Sequence, residues 1–222
     1  MSDAPEVAPE KRRRSPFPPT FYVANVMEIF ERMAWYGFYA VSSVYLTAPV
    51  TDGGMGFSSM ERGVIQGVIP FLLYLFPVIT GALADRYGCR LMMRGGLAML
   101  ALGMLICGLV PHYWPVFVGL VVASFGKTLF DPAIQAYVGN NVSFERRGRA
   151  IGIVEIGWAG STLIGIPALA LVIDHVGLRN SFYLLAFLGG VSWLLMGFIM
   201  PPDSAQTDAR RTQKSFLSAM IG

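Results

Sequence analysis

The sequence predicts an all-α membrane protein with six transmembrane helices, arranged as two inverted three-helix repeats. Three observations predict this fold: the composition, six long apolar segments and the placement of the basic residues. Of the 222 residues, 54% are hydrophobic and only 14% are charged, whereas a soluble domain carries about 25% charged residues. So few charges cannot cover a water-facing surface, which excludes a disordered protein and a typical cytosolic enzyme. With only Cys89 and Cys107, the chain is not a disulfide scaffold.

Six apolar segments follow a polar N-terminus, and we number them as predicted spans 1 to 6. They lie near 21–47, 63–83, 91–110, 116–138, 148–173 and 181–200. Each has about 20 residues or more, the length that a helix needs to cross a hydrocarbon core of about 30 Å. The chain therefore divides into a basic N-terminal segment (1–20), a six-helix bundle (21–200), and a linker with the start of a further helix (201–222).

The basic residues predict the orientation of the spans. Thirteen of the 17 lysines and arginines lie in the N-terminal segment, in connections 2–3 and 4–5, and in the tail after span 6. The other side of the membrane holds only Arg62 and Arg179. Cytoplasmic loops of membrane proteins carry an excess of basic residues. We therefore expect the chain to lie in the cell's inner or plasma membrane, with both of its ends in the cytoplasm. The same placement explains the net charge of +3 without a nucleic-acid partner.

A short motif occurs twice, once on each predicted side of the membrane. Asp85, Gly88 and Arg90 follow span 2 in the pattern D-x-x-G-x-R. The same pattern begins at Asp174, 89 residues later, after span 5. Two three-helix units of opposite orientation produce such a pair, as inverted repeats do in membrane proteins.

Ionisable residues inside the spans are the candidate functional residues. Six are present: Glu28, Glu31, Arg32, Lys127, Asp131 and Glu155. Each costs about 2.5–3.5 kcal/mol at mid-bilayer unless it is paired or reaches water. In span 1, Glu28, Glu31 and Arg32 share one helix face about 140° wide with Tyr36. Lys127 and Asp131 of span 4 form an i, i+4 pair, and we expect the two charged faces to meet at one axis.

Two interpretations of these charges stay open. In the first, they are structural ion pairs that hold helices in register, with Arg32 bound to one glutamate and Lys127 to Asp131. The second interpretation rests on the number of charged residues, because the spans contain four acidic residues and only two basic ones. A carboxyl group buried without a basic partner favours its protonated form, which proton coupling requires. In this interpretation Glu28 or Glu31 carries the proton, and Arg32 is its electrostatic partner.

The first span resembles a signature of proton-dependent oligopeptide transporters, which belong to the major facilitator superfamily. Glu28, Glu31, Arg32, Tyr36 and Gly37 match the pattern E-x-x-E-R-F-x-Y-Y-G, and methionine and tryptophan replace two of its aromatic residues. The resemblance implies that the two glutamates and the arginine act in proton coupling and link to a lysine of span 4. In the family that lysine directly precedes a proline. In this sequence Asp131 precedes the proline, and Lys127 lies one turn earlier.

A second segment is similar to the loop between helices 2 and 3 of the same superfamily. Its matching residues are Gly81, Asp85, Arg86, Gly88 and Arg90. The resemblance implies half of a major facilitator fold, with this loop as a cytoplasmic gate. Members have two six-helix bundles, so we expect a second bundle as partner: a missing C-terminal half, a separate chain or a second copy.

These observations lead to three functional hypotheses. The first is a proton-coupled symporter of small organic solutes, with peptide-like solutes among the candidates. Its solute cavity is expected to be lined by Tyr36, Lys127, Asp131, Glu155 and Trp158. The second is a proton/drug antiporter, since glycines and a proline in span 5 loosely resemble an element of efflux members. The third is a membrane scaffold without transport. No enzyme activity, cofactor or metal is expected.

Overall fold

The computed structural model describes residues 17–200, and the chain is helical through almost all of that range. The predicted basic run at 11–14 and the segment 201–222 lie outside the described residues. The helices are α1 (Pro19–Thr47), α2 (Ser59–Leu75), α3 (Pro77–Tyr87), α4 (Cys89–Leu109), α5 (Tyr113–Asn141), α6 (Phe144–Gly160), α7 (Ile166–Val176) and α8 (Leu178–Ile199). A 3₁₀ turn at Val50–Asp52 follows α1, and a π-helical turn at Ser161–Gly165 joins α6 to α7.

The eight helices correspond to the six predicted spans. Four continuous helices are long and apolar enough to cross a membrane: α4, α5, α6 with α7, and α8. The pair α2 and α3, bent by 43°, adds a fifth. The 29-residue α1 completes the set, although it carries Glu28, Glu31 and Arg32 near its middle. The predicted fold class, six helices as half of a major facilitator fold, is confirmed.

Two of the spans are interrupted at prolines. Pro77 begins α3 directly after the bend, and Pro167 lies in the first turn of α7, directly after the π-helical turn. Proline has no backbone N–H, so the carbonyl four residues earlier loses its usual donor and the helix kinks or changes its winding. In span 2 the two halves, α2 and α3, meet at an angle of 43°, and both halves contact α5.

Helix α5 is the centre of the bundle, and it packs most closely against α4. Two glycine pairs allow this close approach. A Cβ atom added at Gly96 would lie 2.5 Å from the carbonyl oxygen of Gly126, and one at Gly103 would lie 2.3 Å from that of Gly119. Small residues let helix backbones meet in a membrane, where dispersion contacts replace the hydrophobic driving force.

The two D-x-x-G-x-R motifs adopt the same backbone geometry. Gly88 joins α3 to α4 with φ 98° and ψ 149°, and Gly177 joins α7 to α8 with φ 78° and ψ 159°. Each glycine donates its N–H to the carbonyl four residues before it. Because this positive φ strains any residue with a Cβ, both motifs need glycine at this position. The repeat predicted from the sequence therefore has a matching backbone.

Candidate functional site

The charged face of α1 points into the bundle and not toward lipid. Glu28 and Glu31 are each only 1% exposed, and Trp35 on the same face is 3% exposed. Arg32 follows Glu28 by four positions in α1, which is about one helical turn, so their side chains lie side by side. Nε and Nη2 of Arg32 donate to Oε1 of Glu28 at 2.9 and 2.6 Å. Glu28 is therefore the acid that pairs with Arg32.

A second ion pair joins α1 to α5. Nζ of Lys127 lies 3.2 Å from both carboxylate oxygens of Glu31, across 96 residues of sequence. The same Nζ also donates to Asp131 at 3.2 Å, as the i, i+4 spacing predicts. The two charged faces meet as expected, and one lysine serves two carboxylates. Charge-assisted hydrogen bonds of this kind offset the desolvation of buried ions.

Asp131 differs from the rest of this network in its exposure at the surface of the bundle. Its side chain is 40% exposed, whereas that of Lys127 is 5% exposed and that of Arg32 is 11% exposed. The network of Glu28, Glu31, Arg32, Lys127 and Asp131 contains three acids and two bases. With every member ionised it carries one net negative charge, and the accessible part of that charge lies on Asp131.

A cavity of about 340 Å³ opens beside this network, between α1, the bent pair α2 and α3, and α5. Its lining is mainly aromatic and proline side chains around one charged pair: Trp35, Tyr36, Tyr39, Pro70, Leu73, Tyr74, Pro77, Lys127, Thr128, Asp131 and Pro132. Pockets that bind small organic molecules share this composition, an apolar wall with a few convergent polar groups. The cavity lies at the bend of span 2, since Pro70, Leu73 and Tyr74 before the bend and Pro77 after it all line it.

The structure brings three of the five predicted solute-binding residues to this cavity. Tyr36, Lys127 and Asp131 line it, and Nζ of Lys127 lies 5.3 Å from the centroid of the Tyr36 ring. Trp158 lies outside the lining and contacts the ring of Tyr36 edge-to-face, with centroids 6.4 Å apart. Glu155 is exposed on α6, also outside the lining of this cavity. A solute role for these five residues stays a prediction.

The predicted gating residues lie together at the α3–α4 junction. Gly81, Asp85 and Arg86 belong to α3, Gly88 forms the junction, and Arg90 begins α4. Arg90 donates to a backbone carbonyl of α8. Arg86 is exposed, with its guanidinium 5.4 Å from the ring centroid of the following tyrosine. Their role as a gate stays a prediction.

Sequence reasoning missed the hydroxyl groups that support the cavity wall. The buried Thr80 donates from Oγ1 to the carbonyl of Thr128 at 2.6 Å. Pro132, four residues further along α5, has no N–H to serve that carbonyl. Tyr39 makes the same kind of contact, at 3.4 Å, with the carbonyl four residues before Pro70. Counting back four residues from each proline would have identified both carbonyls, although not their partners.

Two buried polar atoms of α1 remain without a partner among the described residues. They are Oε2 of Glu28 and Nδ2 of Asn25, one turn before it. The amide side of Asn25 faces Gly157 of α6, because a Cβ added at that glycine would lie 3.4 Å from Oδ1. Buried polar atoms without a partner cost free energy, so both positions are unusual within the packed bundle. Between residues 17 and 200, no group of three or more His, Cys, Asp or Glu side chains could hold a metal ion.

A bundle of apolar helices with buried ionisable residues around a cavity defines an integral membrane protein of the transporter class. The sequence model of the Major Facilitator Superfamily matches residues 26–221. The chain therefore belongs to the major facilitator superfamily, whose members are membrane transporters.

Curated relatives and solved structures agree with this membership. The chain is 32% identical over 180 residues to the multi-drug resistance efflux pump PmrA of Streptococcus pneumoniae, covering 76% of this chain and 44% of the pump. It is 28% identical over 171 residues to the multidrug resistance protein MdtH of Sodalis glossinidius, covering 73% of this chain and 40% of that protein. The chain thus spans less than half the length of these relatives.

The fold matches that of POT family transporters. A crystal structure of one such transporter in complex with 5-aminolevulinic acid superimposes with a TM-score of 0.75 at 19% identity, over 92% of this chain and 45% of that one. Another, in complex with a thioalcohol-conjugated peptide, gives a TM-score of 0.73 at 22% identity, with the same coverage. At this identity the likeness establishes the fold of one half of such a transporter.

Proposed function

We propose that this chain is the N-terminal half of a proton-coupled symporter of small organic solutes. The observation that carries the proposal is the buried network in which Glu31, on α1, binds Lys127, on α5, beside an aromatic cavity. This network contains more acids than bases, so one proton would neutralise it. The cavity next to it has the size and lining of a site for a small organic molecule.

The coupling is argued from what a proton would do to the ion pairs. A protonated Glu28 no longer attracts Arg32 as a carboxylate does, and a protonated Glu31 releases Lys127 in the same way. Each event removes one of two opposite charges: protonation of Glu31 weakens the attraction between α1 and α5, and protonation of Glu28 frees Arg32 on α1 itself. A two-state bundle then shifts toward the arrangement that the new charges favour. The same change in charge would alter the affinity for a solute bound beside Lys127 and Asp131.

Alternating access requires a partner for this half. Transporters of this type rock one bundle against the other around a site at the interface. The chain covers 46% or less of the transporters that it matches in structure, and a second six-helix bundle is the partner that we propose. In this proposal both ends of the chain lie in the cytoplasm, which labelling of cysteines added at residues 5 and 210 with a membrane-impermeant maleimide would test.

A second candidate function is a proton/drug antiporter. It is favoured by the two curated relatives, which are a multi-drug efflux pump and a multidrug resistance protein. The same buried acids serve either mechanism, since a symporter carries proton and solute together and an antiporter exchanges one for the other. A non-transporting scaffold is the third hypothesis, and it predicts no flux under any gradient.

The deciding experiment reconstitutes the full-length protein in liposomes that contain a pH-sensitive dye. A solute panel that includes dialanine and benzyltrimethylammonium is added with and without an inward proton gradient. Symport predicts that protons move inward together with the solute, and antiport predicts that protons move in the direction opposite to the solute. Glu28→Gln and Glu31→Gln should abolish gradient-driven flux, whereas Glu61→Gln, at the exposed start of α2, should not. Gradient-driven flux that survives both substitutions would refute the coupling role.

A further inference from the structure

The cavity differs from a carboxylate-binding site because its one cationic side chain is already occupied. Nζ of Lys127 is bound by both oxygens of Glu31 and by Asp131, all at 3.1–3.2 Å. Only 5% of the lysine side chain is exposed. A solute carboxylate would have to displace one of these partners and approach the charge of the other. The cavity therefore disfavours anions.

Asp131 gives the cavity the opposite preference. Its carboxylate is the accessible charge of the lining, with 40% of the side chain exposed. The charge is not cancelled locally, because the group of Glu31, Lys127 and Asp131 has two acids and one base. Opposite charges attract each other more strongly beside low-dielectric protein than in bulk water. A cationic group next to Asp131 would be held by this attraction.

The surrounding rings suit the apolar part of such a solute. Tyr36, Tyr39 and Tyr74 line the same cavity as Asp131, together with Trp35 and three prolines. Of these rings, Tyr36 and Tyr39 are half-buried, and Tyr74 is exposed. Aromatic faces attract ammonium groups as well as apolar surface. One carboxylate within an aromatic wall is the usual arrangement for binding organic ammonium ions.

We infer that the solute is a monovalent organic cation with an aromatic or aliphatic body, held through its charge by Asp131. The inference rests on the proposed function, since it names the class of solute that the same cavity takes.

Binding without any gradient tests the inference apart from transport. The full-length protein in lipid nanodiscs is dialysed against benzyltrimethylammonium, phenylacetate or benzyl alcohol, which share a ring and differ in charge. We expect the dissociation constant of the cation to be at least tenfold lower than that of the anion. Asp131→Asn should weaken binding of the cation at least tenfold, which is about 1.4 kcal/mol, and Asp131→Glu should preserve it.

The controls separate the charge from the fold. Asp131→Asn leaves Lys127 bound to Glu31, so the bundle should unfold at nearly the same temperature as the unmodified protein. Asp52→Asn, which removes an exposed carboxylate in the turn after α1, should leave the affinity for the cation unchanged. Affinity for the cation within twofold of normal in Asp131→Asn, or tighter binding of phenylacetate, would overturn the inference.

The outcomes also distinguish this inference from the proposed function. If the cation binds through Asp131 but no proton flux follows in liposomes, the symporter proposal fails and the binding site stands. If anionic or zwitterionic solutes drive proton flux and the cation neither binds nor competes, the solute class is wrong and the coupling stands.

Discussion

The guanidinium of Arg179, in the first turn of α8, donates a 2.9 Å hydrogen bond to the carbonyl of Gly108 at the end of α4. On the opposite side of the bundle, Arg90 in α4 donates to the carbonyl of Gly197 in α8. Each arginine and each glycine is 89 residues from its counterpart. The two helices thus exchange the same contact, as a two-fold axis between inverted repeats requires.

The paired arginines should contribute equally to the stability of the bundle. Each serves carbonyls at or near the C-terminal end of a helix, where no N–H of that helix is available. We expect Arg90→Ala and Arg179→Ala each to lower the free energy of unfolding by about 1.5–3 kcal/mol, the range for hydrogen bonds to charged groups. Thermal unfolding in detergent measures this. Arg86→Ala, at an exposed position, is the control, and an equal loss there would refute the assignment.

The Glu31–Lys127 ion pair predicts strong coupling between two substitutions. Lys127→Gln leaves Glu31 buried without its counter-ion, and we expect it to destabilise the bundle by about 3–5 kcal/mol. Glu31→Gln/Lys127→Gln removes both charges and should recover most of that loss. A double-mutant cycle from thermal unfolding gives the coupling energy. Additive effects would show that the pair does not form.

The carbonyl that Pro132 leaves without a donor predicts a second coupled pair. Thr80→Val removes the hydroxyl that binds the carbonyl of Thr128, and it should cost about 1–3 kcal/mol because that carbonyl is buried. Adding Pro132→Ala supplies a backbone N–H for the same carbonyl, so the loss caused by Thr80→Val should shrink in that background. As a control, Thr162→Val removes a hydroxyl that bonds within its own span, and it should change stability by less than about 0.5 kcal/mol.

Two neighbouring glycines of α4 predict opposite responses to one added methyl group. Gly96→Ala would place a Cβ atom 2.5 Å from the carbonyl oxygen of Gly126, so the helices must separate. We expect a loss of about 1–3 kcal/mol from overpacking. Gly95→Ala meets no atom within 4 Å and should leave the unfolding temperature unchanged or raise it. Equal unfolding temperatures for the two variants would contradict the close α4–α5 contact.

Much of the fold follows from local properties of the sequence. The length of each apolar segment fixed the number of spans, and helical periodicity placed Glu28, Glu31 and Arg32 on one face of α1. The spacing of the repeated motif indicated two related units, and the matching φ angles of Gly88 and Gly177 agree with it. These features depend on composition, periodicity and spacing along the chain, which is why a sequence reveals them.

The composition of the site was only partly predictable from the sequence, because it depends on how the helices pack against each other. Periodicity gives the direction of a side chain from its helix axis, but not its depth in the bundle. Lys127 and Asp131 share one stripe, yet the structure buries the first and exposes much of the second. The prediction grouped Glu155 with these two residues because it is charged, but Glu155 lies outside the cavity lining. The cavity itself is formed by side chains of α1, α2, α3 and α5 together, and no single segment of sequence specifies how these helices pack.

The sequence by itself determined that this chain crosses a membrane several times and carries paired charges there, because hydrophobic length and helical spacing are local quantities. Only the tertiary structure decided that Arg32 binds Glu28, that Glu31 reaches Lys127 across 96 residues, and that the side chain of Asp131 stays partly exposed. Those choices depend on which helices touch and how closely, which is a property of the packed bundle and not of the spacing along one helix.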